Sequence, residues 1–371
     1  MGAAEKKRPR GLKGVAAQKA AKKAKTENEE EKTQTVILDK EVEEGDELGE
    51  VEALYETAKD KLAMGEGEDT IIPLLRGTIH ECDRILRNWS GEEKAPASFY
   101  LSYGSALFDL GNLSGDKDFS SYRDAAKERL ETGVERIQEL SEKDDASNIT
   151  HAKLNIGLAK IAFGQALTSL QDGKDDVSDY INIGLNKLNT ALEVKNLPVG
   201  DALEAVNLVQ ANADNQDALE NLNTLNDWAK EQYSKILTGH PENARALSGM
   251  GNCHLTLANY WLGRVDVLED ESTEGKTELN EEETKASEQL TQGIEFYKRV
   301  LAVSDIDLEV KGDSTINLAE ALINLANVTL DEEKQQARYQ EAVTLLNEFK
   351  ESTGIELPDG LANFVEEWNS Q

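Results

Sequence analysis

Apolar side chains return every three or four positions through nearly all of residues 51–371, and that spacing belongs to the buried face of an α-helix. In TIIPLLRGTIHECDRILRNW, residues 70–89, Ile79, Cys82, Ile85, Leu86 and Trp89 line up as one stripe. Val/Ile/Thr-rich runs of period two are missing from the bulk of the chain. Leu, Ala, Asn, Glu and Lys fill most of the chain, the good helix formers Ala, Leu, Glu and Lys among them, and only six prolines interrupt 371 residues. The fold class expected is all-α.

Helical segments follow one another along the chain. VEALYETAKDKLAMG (51–65) is a helix stopped by Gly65 and Gly67. Further helices are read in residues 95–113, 121–140, 150–170, 177–194, 218–237, 244–262, 285–303, 314–330 and 337–353, with GLANFVEEW (360–368) closing the series. The junction TGHPENARALSG places a Pro241-Glu242-Asn243 turn between two helices, which resembles a tetratricopeptide junction. Small residues sit where stacked helices must approach: Gly104 and Ala106, Gly157 and Ala159, Gly249 and Gly251, Ala319 and Ala326. The expected architecture is a degenerate tetratricopeptide-like helical-repeat solenoid, with an irregular helical bundle as the alternative. Residues 1–50 are expected to be a disordered arm, and 51–371 a repeat domain with an acidic loop near 266–285.

Charge restricts the partners. The net charge is -32, yet residues 1–25 hold nine Lys/Arg against one Glu, leaving about -40 for the rest. So acidic a body repels phosphate backbones, and direct nucleic-acid binding is not expected. The arm carries Lys6, Lys7, Arg8 and Arg10, then Lys22, Lys23 and Lys25, a spacing suited to a bipartite nuclear import signal. Nothing reaches 18 consecutive apolar residues, so no membrane span is expected. Cys82 and Cys253 lack CxxC spacing, which points to a reducing compartment rather than a disulfide framework. The acidic runs at 27–31 and 281–283 read as solvated faces or as bait for a basic partner.

Two stretches concentrate reactive side chains. In RGTIHECDRILRNW, His80 and Asp83 could meet at i, i+3, but no third metal ligand is nearby and HExxH is absent. Cys82 falls on the apolar stripe and reads as a small buried hydrophobe, flanked by His80, Glu81, Asp83 and Arg84. Asp83 is positioned to pair with Arg87 at i, i+4. In GMGNCHLTLANYW, Cys253 and His254 point about 100° apart on a helix, so they cannot form a nucleophile–base pair by themselves. No GxxxxGK[ST] is present. No catalytic residue, cofactor-binding residue or metal ligand is assigned.

Three segments carry a resemblance. KRPRGL (7–12), LRGTIHECDRILR (75–87) and LAKIAF (158–163) resemble the fungal enhancer of translation termination family, the second of them most specifically. The resemblance implies a nuclear, non-enzymatic protein that supports stop-codon recognition. It also implies a role in hypoxia-linked transcription and a partnership with an iron/2-oxoglutarate dioxygenase of the prolyl-hydroxylase type, the iron being the partner's. It raises His80, Glu81, Asp83 and Arg84 as a family-motif surface. Two other functions are open on the residues: an acidic chaperone for basic nuclear or ribosomal proteins, suggested by the charge, and an enzyme using His80 and Cys82.

Overall fold

A computed structural model describes residues 42–43, 45–90, 94–114, 119–141, 143–174, 176–265 and 277–370. Among them are thirteen α-helices and no strand: α1 Glu47–Ala63, α2 Glu68–Asn88, α3 Ala97–Leu113, α4 Phe119–Glu139, α5 Asp145–Gln171, α6 Ser178–Leu192, α7 Val199–Ala213, α8 Leu219–Gly239, α9 Ala244–Leu262, α10 Glu281–Leu301, α11 Leu308–Asn327, α12 Glu332–Thr353 and α13 Asp359–Asn369. The chain falls into two compact units, residues 1–161 and 162–371, with the division inside α5. The all-α helical-repeat class read from the periodicity is the one observed.

In the first unit α1 packs on α2 and α3, α2 on α3, and α3 on α4. Leu54, Ile71, Leu74, Leu75 and Leu110 form one core cluster, and Cys82, Ile85, Tyr103, Leu130, Leu154 and Leu158 belong to a second. In the second unit each helix from α7 to α12 packs on its successor, and α6–α8, α7–α9 and α9–α11 also touch. Contact with the neighbour and the next neighbour is how a helical-repeat stack buries faces that no single hairpin could cover.

Local chemistry sets the ends. Asp46 caps α1 by accepting from the Gly49 N–H at 2.9 Å, so that helix starts at Glu47, a few residues inside the arm as read from sequence. Asn243, after the expected Pro-Glu turn, caps α9 through the Ala246 N–H at 2.9 Å. Asn280 and Glu283 form a capping box, each side chain bonded to the other's backbone N–H at 2.8 Å. The acidic stretch near 266–285 is therefore helical from Glu281 onward, which corrects its expected end; residues 266–276 lie outside the described residues. Helix α7 was not legible in advance: it is a short segment between Pro198 and Asp214 whose stripe is Leu203, Val206 and Val209.

The small residues do what stacking requires. A Cβ at Gly104 would lie 2.6 Å from the Leu130 side chain of α4. One at Gly251 would lie 2.6 Å from the Tyr297 ring of α10, which is fully buried and has nowhere to go. Gly251→Ala is expected to destabilise the chain by about 1–3 kcal/mol through overpacking, exceeding the roughly 0.5–1 kcal/mol that Ala gains over Gly in a helix. Gly77, inside α2 with nothing within 4 Å of its would-be Cβ, is the opposite case. Gly77→Ala is expected to stabilise by about 0.5–1 kcal/mol. Urea denaturation followed by far-UV circular dichroism separates the two signs.

Candidate functional site

The segment around His80 holds three helices together. Cys82 has no exposed surface and sits in the core with Ile85, Phe99 and Tyr103. On one flank the Arg84 guanidinium donates from Nε to Glu81 at 2.6 Å and from Nη1 to Glu47 of α1 at 2.8 Å. On the other, Asp83 accepts the hydroxyl of Tyr103 from α3, and the Arg129 guanidinium lies 5.2 Å from the centre of that tyrosine's ring. The expected Asp83–Arg87 side-chain pair is not formed: Arg87 Nε donates to the Asp83 backbone carbonyl at 3.1 Å, because the carboxylate is taken by Tyr103. His80 is largely open to solvent, with its Nδ1 3.6 Å from Glu81 Oε1. Among the described residues no three His, Cys, Asp or Glu side chains are grouped to hold a metal ion.

Burial, followed by the charges of Asp83 and Glu81, pushes the Cys82 thiol far up. Burial and the bond to Asp83 raise the Tyr103 phenol to about 12. Cys253 is equally enclosed, and burial lifts its thiol to about 12. Its neighbour His254 turns away to Gln289, 2.8 Å from Nδ1, and stacks on Phe296 with ring centroids 5.7 Å apart. Burial lowers the His254 pKa, so the ring is held neutral.

A different site was invisible in the linear motifs. In the second unit the end of α7, the length of α9 and the middle of α11 line a groove of about 580 Å³. Its walls include Gln210, Asn252, Asn259 and Asn317, with Asp214, Asp217, Glu320 and Arg264. Asn252 is fixed in place: its Oδ1 accepts from the Tyr297 hydroxyl at 2.7 Å and from Asn317 Nδ2 at 3.1 Å. Asp214 accepts from Gln210 Nε2 at 2.9 and 3.0 Å and from the Thr256 hydroxyl. The residue is solvent-accessible on one side, yet the walls strip water from its carboxylate, and this raises the pKa against the opposing hydrogen bonds. Arg264 is occupied: it stacks 3.3 Å from the Tyr260 ring centre and donates to the carbonyls of Tyr260 at 3.0 Å and Asp217 at 3.1 Å.

One pairing recurs along the second unit. An asparagine on one helix accepts a tyrosine hydroxyl from the next: Asn207 from Tyr233 at 2.6 Å, Asn252 from Tyr297 at 2.7 Å, Asn327 from Tyr339 at 2.6 Å. The basic residues Lys6, Lys7, Arg8, Arg10, Lys22, Lys23 and Lys25 lie outside the described residues.

Comparison with known proteins then decides the family. Residues 3–244 match the model of the family described as nuclear pore complex subunit Nro1, and residues 222–368 match that of the C-terminal region of negative regulator of ofd1. The chain belongs to the Nro1 family. Among its relatives, enhancer of translation termination 1 of Yarrowia lipolytica is 26% identical, the match covering 88% of this chain and 87% of the relative. Negative regulator of ofd1 of Schizosaccharomyces pombe is 24% identical, over 88% and 84%. The structure of S. pombe Nro1, described as a nuclear import adaptor, overlays with a TM-score of 0.56 at 22% identity, covering 91% of this chain and 99% of that one. The structural likeness establishes the Nro1 fold here, and the family resemblance read from HECDR and its companion segments is the correct one. No described helix is long and apolar enough to cross a membrane.

The thiol environments lead to a joint expectation for Cys82 and Cys253. At neutral pH a maleimide should leave both unreacted in the native chain and label both in denaturant, as mass spectrometry would show. The native state keeps protons on Cys82 and Tyr103 that the unfolded chain loses from their ordinary values of 9.0 and 10.0 upward. The contribution of these two groups to stability should therefore be flat below about pH 9 and fall as pH rises toward 12. Tyr103→Phe should make the fall shallower, read as urea midpoint against pH. A midpoint that rises with alkali would contradict this account.

Proposed function

We propose that this chain is a non-enzymatic nuclear adaptor that supports accurate translation termination and hypoxia-linked control of gene expression by holding an iron/2-oxoglutarate dioxygenase of the prolyl-hydroxylase type. The observation that carries the reading is Nro1-family membership along nearly the whole chain, from residue 3 to residue 368. Relatives in that family bear the names of a termination enhancer, a negative regulator and an import adaptor. The site chemistry agrees with a holding role. The thiols and His254, which an enzyme would need accessible and active, are committed to packing, and Asp83 and Arg84 to bracing α1, α2 and α3. Iron belongs to the partner in this reading, and the chain itself takes no cofactor. The basic arm, Lys6 to Arg10 with Lys22 to Lys25, brings the chain and its cargo into the nucleus.

The acidic-chaperone reading rests on the net charge of -32. The two differ in salt dependence, because a complex held by exposed charges weakens steeply as the Debye length shortens.

Affinity purification of the tagged full chain from nuclear and cytosolic fractions tests both. A dioxygenase of the stated type should co-purify and survive moderate salt. Replacing Lys6, Lys7, Arg8, Arg10, Lys22, Lys23 and Lys25 with Ala should move chain and partner to the cytosol together. Depleting the chain should raise stop-codon readthrough in a dual reporter. Recovery of basic proteins alone, lost at moderate salt, would replace the adaptor with the chaperone.

A further inference from the structure

We propose that the groove between α7, α9 and α11 holds an extended peptide segment of a partner protein, with one lysine or arginine seated against Asp214 and Glu320. This rests on the adaptor reading and gives that adaptor a gripping surface.

The groove's lining matches the chemistry of a peptide backbone. A helix or paired strand satisfies its own N–H and C=O groups, whereas an extended single segment presents both unpaired along its length. Asparagine and glutamine match the peptide group itself, each offering an amide N–H donor and a carbonyl acceptor. Gln210, Asn252, Asn259 and Asn317 contribute four of them to one groove, spread over three helices. Asn252 is preset for the task. Its oxygen is used by Tyr297 and Asn317, so its Nδ2 keeps donor capacity and cannot flip without breaking two bonds. Asn259 is exposed and its amide makes no side-chain hydrogen bond among the described residues, which leaves both functions for a ligand.

Charge selects the occupant. Asp214, Asp217 and Glu320 line the groove against Arg264 alone. That arginine stacks on Tyr260 and bonds backbone carbonyls, so it serves the wall and forms no ion pair with Asp214 or Glu320. Glu320 has no ion-pair partner among the described residues. A cation entering here meets carboxylates in a partly dewatered cleft, where attraction exceeds that at an open surface. A phosphate-bearing ligand would meet repulsion instead. The Tyr297 hydroxyl, bonded to Asn252 of the preceding helix, ties that lining side chain to the buried core.

The test uses the full chain and a displayed library of random peptides. Selected sequences should be rich in Lys or Arg. Synthesised with a fluorescein label, they should bind the chain in anisotropy titrations at least about tenfold more tightly than they bind Asp214→Asn/Glu320→Gln, the affinity falling with salt. Asn259→Ala, on an exposed side chain, should weaken binding without changing the charge. Should the double variant lose helicity, Glu320→Gln alone replaces it, since that carboxylate braces nothing. A selected pool without basic enrichment, or equal binding to chain and variants, overturns the proposal. So does a dioxygenase that co-purifies undiminished with Asp214→Asn/Glu320→Gln, an outcome that leaves the adaptor reading intact. Failure of the unaltered chain to recover any protein partner would instead remove the adaptor reading.

Discussion

Buried tyrosines that must satisfy their hydroxyls set the geometry of the second unit. Tyr233 and Tyr297 have no exposed surface, and a phenol left unbonded in a core carries a full desolvation cost of about 1–3 kcal/mol. Each one finds an asparagine on the helix before it, at 2.6 and 2.7 Å. Each reaches that partner only because helix α9 has no side chain at Gly249 and Gly251, where the rings lie. Helix spacing, the placement of glycine and the orientation of the groove amides follow from one arrangement. The raised pKa of both phenols reflects the same dry setting, in which only the neutral form is tolerated.

The first unit solves a similar problem with charge. Tyr103 donates to Asp83 and Tyr55 to Asp109, while Arg84 ties Glu47 to Glu81. The sequence run that looks most like chemistry is thus a set of braces around a buried thiol. A thiol with no water near it has lost the accessibility that a nucleophile or a metal ligand needs, and the carboxylate beside it is committed to a tyrosine. Exposed ion pairs add little stability by themselves. The value of the Arg84 fork lies in joining residues 37 positions apart across α1 and α2.

Family membership and groove chemistry bear on function from separate directions. Membership places the chain among proteins named as regulators and adaptors. The groove brings side-chain amides and carboxylates together along one face of the second unit. The net charge of -32 is unevenly spread, with nine Lys/Arg against one Glu in residues 1–25.

Periodicity and composition sufficed for the helical class, for most of the helices, for the burial of Cys82 and Cys253, and for the need of small residues at Gly104, Gly249 and Gly251. All of these depend on short-range spacing, which a linear chain displays openly. The start of α10 at Glu281 was blurred because its acidic first turn has the composition of a loop, and only the capping box at Asn280 distinguishes the two. Helix α7 was hidden because a short, weakly patterned segment is stabilised by its neighbours rather than by its own propensity. Which side chain Asp83 would choose, and that Gln210, Asn252 and Asn317 would face one another, were matters for tertiary structure alone. Those residues are separated by up to 107 positions, and nothing along the chain records which helix stacks on which until the buried faces have met.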